Sequence, residues 1–247
     1  MRTILLVLLL LAVAIPAFPI NLGSEIVVIP VIGRFAGANS TQWRTDVFIA
    51  NPFSPVQVVT LRFYVQGSGL QTRTVTLQPF SNVTLSDIVL NTYGLSSAAG
   101  VLEIVAPGTI LARARIYNRG NAAGEFGQSV QGIGQVYLNR QAFMHGLSGI
   151  NGNRVNIGVA NPNDTATTVT TVIRDENANI IHSRTDNVGP HQYVQINDIF
   201  TAFGITPRAG ISIGMSSDEG LRVYGYASEV RNDTGDAVFV FGTSPNS

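Results

Sequence analysis

The chain contains no cysteine among its 247 residues. This absence excludes a disulfide framework, a thiol nucleophile, a thiolate metal site and a lipidated N-terminal cysteine. A chain of this length can bury a sufficient core without covalent cross-links. The composition therefore favours a bacterial-type envelope protein over a small disulfide-stapled secreted domain.

Charge is also scarce. Ionisable Asp, Glu, Lys and Arg side chains make up 12% of the sequence, against about 25% in an ordinary globular protein. Fifteen basic residues balance fifteen acidic ones, so the formal net charge is zero. Without a net field to steer a polyanion toward it, the chain is not expected to bind nucleic acid. All the basic residues are arginine, and nothing in the sequence explains the lack of lysine.

The familiar motifs of catalysis are missing as well. No nucleophile elbow, P-loop, zinc-protease helix or dinucleotide fingerprint is present, and the glycine-rich segment Gly127–Gly134 is predicted to be a loop. Of the three histidines, His145, His182 and His191, only the last two lie near each other, and no third ligand follows at zinc-site spacing. The sequence predicts no catalytic, cofactor-binding or metal-ligating residues and no cofactor.

Two acidic loops, 175–179 and 232–236, gather oxygen ligands as calcium sites do. Neither follows the spacing of an EF-hand loop, and each lies where a hairpin turn is expected. Plain turns are the favoured interpretation, with calcium binding left open.

The N-terminus has the pattern of an export signal. A basic residue at position 2 precedes the apolar run Ile4–Ile15, and small residues allow cleavage after Ala14 or Ala17. An uncleaved anchor is the alternative, but two prolines interrupt the run before it reaches the length of a spanning helix. We expect residues 1–17 to be a signal peptide and the mature chain to be secreted, periplasmic or on the cell surface, with no transmembrane segment.

The mature sequence is internally repeated. Arg44–Pro52 (RTDVFIANP) aligns with Arg154–Pro162 (RVNIGVANP), and other blocks match in the same order at nearly the same shift. Ordered matches of this kind indicate duplication. The predicted units are residues 25–135 and 136–243.

Within each unit the pattern is that of short strands. Val56–Val65 and Thr167–Ile173 are rich in β-branched and aromatic residues and partly alternate in polarity. Further strands are predicted at Gly100–Val105, Ile110–Tyr117, Gly210–Met215 and Leu221–Val230, separated by turns such as Pro107-Gly108. The expected fold is all-β, with two tandem immunoglobulin-like antiparallel β-sandwich domains related by duplication.

One short helix is expected to cross each sandwich. Ser86–Gly94 and Asn197–Gly204 both start with capping residue types and end on glycine. Asp87 and Asp198 occupy matching positions, and helix capping is their simplest interpretation. The two arginines that open the repeated block are expected to pair with carboxylates.

The phrase RTDVFIANP with its following Thr/Val strand, together with SDIVLNTYGL, resembles uncharacterised exported bacterial proteins with tandem immunoglobulin-like repeats. The resemblance implies the tandem immunoglobulin-like fold and a location outside the cytoplasm. It transfers no functional residue.

The sequence thus favours a non-catalytic secreted or cell-surface protein, structural or adhesive, that contacts other envelope or extracellular proteins or itself. A first alternative is a self-assembling filament or layer subunit, in which the apolar segment 25–33 adds a strand to a neighbouring molecule. A second is a carbohydrate-binding accessory module, which would need Trp43 or several tyrosines exposed on one face. Packing is the favoured role of Tyr224 and Tyr226.

Overall fold

The computed structural model describes residues 23–37, 41–119, 124–218 and 220–244. Strands dominate and all their pairings are antiparallel, which confirms the all-β prediction. The proposed signal peptide, residues 1–17, and its cleavage site lie outside the described residues. Within these ranges, no helix has the length and apolar character needed to cross a bilayer.

We call the part of the chain that holds strands β1–β8 the N-terminal half. Its elements are β1 (Ser24–Ala36), β2 (Gln42–Ala50), β3 (Gln57–Val65), β4 (Gly69–Leu77), β5 (Asn82–Leu85), α1 (Ile88–Asn91), β6 (Ala98–Arg119), β7 (Phe126–Gln131) and β8 (Ile133–Gly134).

A 3-10 turn at Gln135–Tyr137 leads into the C-terminal half. Its elements are β9 (Gln141–Leu147), β10 (Asn153–Ala160), β11 (Thr167–Arg174), β12 (Ile180–Val188), β13 (Tyr193–Ile196), α2 (Ile199–Phe203), β14 (Ile211–Ser217), β15 (Tyr224–Arg231) and β16 (Ala237–Phe241).

Strand order is the same in the two halves. In the C-terminal half one sheet runs β12-β11-β14-β9 and the other β13-β10-β15-β16. In the N-terminal half, β6 takes the place of both β14 and β15. Its first part pairs with β3 and β1, and its second part, from residue 111, pairs with β2 and β7.

The continuity of β6 corrects two predictions. Pro107-Gly108 is not a turn between separate strands but lies inside β6, at the point where the strand passes from one group of partners to the other. The amide of Gly108 is satisfied there by the side chain of Gln57 (3.1 Å). The predicted loop Gly127–Gly134 is also wrong, because most of it pairs as β7 and β8.

Each half has its own buried core, to which both of its groups of strands contribute. On β3, the inward-facing Val59, Leu61 and Phe63 are fully buried and alternate with more accessible residues. The predicted strand at Val56–Val65 is thereby confirmed. Burying one such apolar side chain contributes about 1.5–3 kcal/mol, so the alternation fixes which face of the strand turns inward.

The apolar segment 25–33 belongs to β1 and completes the sheet of its own chain. It pairs with β6 on one side and with β8 on the other, and Val27, Ile29 and Ile32 are fully buried. Donation of this strand to a neighbouring molecule would require it to leave that core.

The two short helices differ from expectation at their first residues. Asp87 and Asp198 occupy the N-cap positions, but both have a left-handed backbone conformation, and neither side chain caps its helix. An N-cap side chain needs an extended backbone to reach the free amides of the first turn. The Asp87 carboxylate instead pairs with Arg34 and with Arg44 (Oδ2 to Nε, 3.3 Å).

In the C-terminal half, the corresponding groups have other partners. Asp198 accepts a hydrogen bond from the hydroxyl of Thr201 (2.6 Å), and Arg154 donates to the amide oxygen of Asn232 (2.6 Å). The expected carboxylate partner is therefore present for Arg44, whereas Arg154 has an amide in its place.

Candidate functional site

The two halves are joined through a buried interface. A third apolar cluster contains residues of both halves: Val28, Val101 and Ile133 from the N-terminal half, Ala160, Tyr224 and Tyr226 from the C-terminal half, and Leu138 from the connection between them. The outer face of the β10–β15 pair therefore packs against the outer face of β1 and β6. The tyrosines are buried, as the packing interpretation expects.

Hydrogen bonds fix the register of this interface. The Tyr224 hydroxyl donates to the carbonyl of Gln131 (2.6 Å), and the Ser228 hydroxyl donates to the side chain of Gln128 (2.7 Å). Buried phenols usually find such partners, because an unsatisfied hydroxyl would lose its hydration without compensation.

A cluster of ionisable side chains lies at one edge of the interface, which we call the His191 cluster (Tyr64, Glu103, Asp164 and His191). His191 Nδ1 is 2.8 Å from Glu103 Oε1, and its Nε2 is 2.9 Å from Asp164 Oδ1. The ring stacks on Tyr64 at a centroid distance of 3.9 Å, with 6° between the planes. The Tyr64 hydroxyl completes the cluster by donating to Glu103 Oε2 (3.2 Å).

Burial and charge act in opposite directions on the imidazole. Burial disfavours the imidazolium, but the hydrogen bonds to the Glu103 and Asp164 carboxylates outweigh it, so the pKa of His191 is raised. Burial, followed by the charge of Glu103, raises the pKa of Tyr64 to about 12. The cluster is thus arranged for a protonated histidine between two carboxylates and a neutral phenol.

This geometry suits a structural link between the two halves better than proton transfer to a substrate. Both ring nitrogens of His191 face carboxylates, so neither is free in this arrangement to accept a proton from a bound molecule. Glu103 belongs to the N-terminal half and His191 to the other. The cluster is an ion-paired link between the halves.

A second feature is a row of arginines and aromatic rings on the outer side of β2 and β6, which we call the arginine face (Phe48, Arg113, Arg115, Tyr117 and Arg119). Its arginines are at least partly accessible, whereas Phe48 is half-buried and Tyr117 is buried. The Arg113 guanidinium lies 4.1 Å from the centroid of the Phe48 ring. Arg115 and Arg119 lie 4.7 Å and 5.9 Å from that of Tyr117. Alternate residues of a strand share a face, which explains why ARARIYNR places these side chains together.

One acidic side chain accompanies the arginine face. Glu125 pairs with Arg115 (2.8 Å) and with Arg119 (3.1 Å), and these arginines hold the pKa of its exposed carboxyl below the usual range. The side chains of Arg115 and Arg119 remain 41% and 68% exposed. Both guanidiniums can therefore still reach a partner.

The other histidines lie apart from this cluster. His182 stacks on Phe203 (4.0 Å between centroids), and His145 is exposed on β9. Among the residues that the structure describes, no three His, Cys, Asp or Glu side chains are placed to hold a metal ion together.

The acidic loops use their oxygens within the chain. Asp175 accepts hydrogen bonds from the amides of Asn177 and Asn179 (both 2.9 Å), as in a tight turn. Asp233 pairs with the Arg231 guanidinium (3.0 Å). Both contacts fit the turn interpretation of loops 175–179 and 232–236.

Sequence reasoning missed the His191 cluster. Glu103 and His191 lie 88 positions apart and in different predicted units. One signal was available: Glu103 interrupts the apolar strand Val101–Val105 (VLEIV), and a buried carboxylate in such a run needs a partner.

No family model and no curated protein matches this chain. Among solved structures, it is similar to Thermotoga maritima 1070, with 15% identity and a TM-score of 0.34 over 42% of this chain and 92% of that one. It also resembles a β-glucuronidase of Parabacteroides merdae, with 11% identity and a TM-score of 0.19, spanning 81% of this chain but 27% of that one. Likenesses this low define no function for the chain.

Proposed function

We propose that this chain is a non-catalytic exported protein, structural or adhesive, that acts by contact with other envelope or extracellular proteins. In this proposal its two halves are immunoglobulin-like β-sandwiches produced by duplication, each crossed by one short helix.

The equivalence of the halves supports the duplication. Beyond the common strand order, the amide of Asp87 donates to Asp46, and that of Asp198 donates to Asn156, at 2.8 and 2.9 Å. Both aspartates are left-handed. Independent origins would not be expected to reproduce such a backbone detail.

The arginine face carries the proposal of protein contact. In the N-terminal half, Phe48 on β2 lies opposite Arg113 on β6. The equivalent cross-strand pair in the C-terminal half is Gly158 on β10 and Tyr226 on β15. The C-terminal half uses that face to dock onto its neighbour, and Tyr226 is buried there. The same face of the N-terminal half keeps its arginines accessible to solvent, and arginine is among the residue types enriched where binding energy concentrates in protein interfaces.

The alternatives fare less well on the same contacts. Strand addition through residues 25–33 would have to be a swap, since the segment is already paired and buried in its own chain. Sugar binding needs several aromatic rings exposed together on one face, whereas Trp43 is half-buried and Tyr224 and Tyr226 are buried.

Site-specific photo-crosslinking in producing cells tests the proposal. Ser129 is exposed on β7 directly opposite Arg115, so a photoreactive residue there samples the arginine face. Thr185 on β12, also exposed, is the matched control. We expect a discrete protein adduct from position 129 alone, lost with Arg115→Glu and Arg119→Glu. Equal adducts from both positions, or none from 129, would contradict the proposal.

A further inference from the structure

The arginine face carries more positive charge than the chain neutralises there. Glu125 is shared by Arg115 and Arg119. Arg113 is exposed, and among the residues that the structure describes it forms no ion pair. The three arginines that β6 contributes to this face therefore pair with one carboxylate, on a chain whose formal net charge is zero.

Two further carboxylates near this face are already engaged. Asp46 lies opposite Arg115, and its Oδ1 accepts hydrogen bonds from the Asp87 amide (2.8 Å) and from the Tyr117 hydroxyl (3.2 Å). The Asp87 carboxylate pairs with arginines of β1 and β2. Neither Asp46 nor Asp87 thus offsets the charge of the β6 arginines by an ion pair within the described part of the chain.

Aromatic rings restrict the three guanidiniums. Arg113 lies over the half-buried ring of Phe48, and Arg115 and Arg119 lie near the buried ring of Tyr117. A guanidinium held against a ring by cation–π attraction loses less side-chain freedom when a partner binds. The arginine face is therefore a preorganised row of cations.

The spacing of the row matches an extended polypeptide. Arg113 and Arg115 are two residues apart on β6, which corresponds to about 7 Å, and Arg119 follows about 14 Å further on. An extended chain places every second side chain at the same interval of about 7 Å. Glu125 shows how a carboxylate is held in this row, because its two oxygens contact Arg115 (2.8 Å) and Arg119 (3.1 Å).

We propose that the arginine face binds an extended acidic segment of a partner protein, whose carboxylates recur at every second residue and pair with Arg113, Arg115 and Arg119. The inference rests on the proposed function and adds the chemistry of the partner. Arg113 offers an unpaired cation, and Arg115 and Arg119 exchange Glu125 for a carboxylate of the partner. Because an exposed ion pair contributes little by itself, binding requires several pairs at once and weakens with salt.

Fluorescence anisotropy of a labelled peptide of four Glu-Thr repeats, titrated with the full chain at low salt, tests this inference. A peptide of four glutamates followed by four threonines has the same charge without the alternation, and four Gln-Thr repeats carry no charge. We expect the alternating acidic peptide to bind about threefold or more tightly than the block peptide, and the Gln-Thr peptide not to bind. Equal affinity for both acidic peptides, or no binding of the alternating one, would overturn the proposal.

Three variants locate the binding site. Arg113→Gln and Arg140→Gln each remove one positive charge from an exposed position, but Arg140 precedes β9 in the C-terminal half. We expect about threefold weaker binding for Arg113→Gln and no change for Arg140→Gln. Glu125→Gln removes the internal competitor and should strengthen binding by a similar factor.

Two results from these variants would refute the inference. Equal weakening by Arg113→Gln and Arg140→Gln would indicate general charge attraction. Weaker binding by Glu125→Gln would mean that this carboxylate organises the face instead of competing for it. Unchanged circular dichroism spectra show that each variant is folded.

An anionic polysaccharide is the competing occupant. A galacturonic acid tetramer carries as many carboxylates as the alternating peptide, and we expect it to displace the labelled peptide only at higher concentration than the unlabelled peptide does. Displacement at an equal or lower concentration would assign the face to a polysaccharide and refute the proposal. A protein adduct from position 129 in cells, without peptide binding, would leave the proposed function standing and exclude the acidic segment.

Discussion

Replacing His191 by glutamine removes the charge from the link between the halves while keeping a polar side chain of similar reach. Glu103, whose side chain is 4% exposed, then loses its cationic partner. Asp164 is 98% exposed, so water can replace its contact, and an exposed pair of this kind contributes little. The cost therefore arises almost wholly at Glu103.

The magnitude follows from that asymmetry. A hydrogen bond to a charged group contributes about 1.5–3 kcal/mol, and we expect His191→Gln to lower the free energy of unfolding by that amount at pH 6. Other groups facing the imidazole are Tyr64 and, beyond it, Arg62. The phenol of Tyr64, with its pKa raised to about 12, stays neutral over the range of the test.

The pH dependence has a definite sign. The pKa of His191 is raised in the folded chain above its ordinary value of 6.5. Its contribution to stability is therefore complete below about pH 6.5 and is lost as the pH rises through the folded-state pKa. The difference between wild type and His191→Gln should accordingly shrink as the solution becomes alkaline.

Urea unfolding followed by far-ultraviolet circular dichroism, at pH 6 and pH 9, measures this difference. A histidine NMR titration of the wild type assigns the transition to His191. Parallel stability curves for the two proteins across this range would refute the reasoning, because they would mean that the imidazole carries no charge in the folded state.

Two further changes probe the architecture. Asn51 donates to the carbonyls of Pro55 and Gln78 in two loops, so Asn51→Ala leaves both without this donor and should lower the free energy of unfolding by at least about 2 kcal/mol. An unaffected urea midpoint would mean that the amide does not hold these loops together. Gly100→Ala places a Cβ 2.0 Å from the carbonyl oxygen of Tyr64 and should destabilise the chain by about 1–3 kcal/mol. Gly214→Ala, whose Cβ meets its nearest neighbour at 3.9 Å, is the control and should cost less; equal losses would contradict the argument.

Local patterns in the sequence predicted many of the strands and both helices. Alternation in Val56–Val65 and Thr167–Ile173 placed β3 and β11 to within about one residue, as burial of every second side chain requires. The short apolar segments before Gly94 and Gly204 located both helices. The predicted N-cap at Asp87 was wrong because this residue has a left-handed backbone conformation, and its carboxylate pairs with arginines of β1 and β2 that are distant in sequence.

The sequence by itself determined that this is an antiparallel β protein, low in charge, with matching blocks in its two halves. Only the tertiary structure decided that β6 runs unbroken past Pro107, that Glu103 meets His191, and that one sheet face is buried between the halves while its counterpart stays open. The physical reason is that periodicity along a strand shows which side chains share a face. What covers that face depends on strands and halves brought together from far apart in the chain.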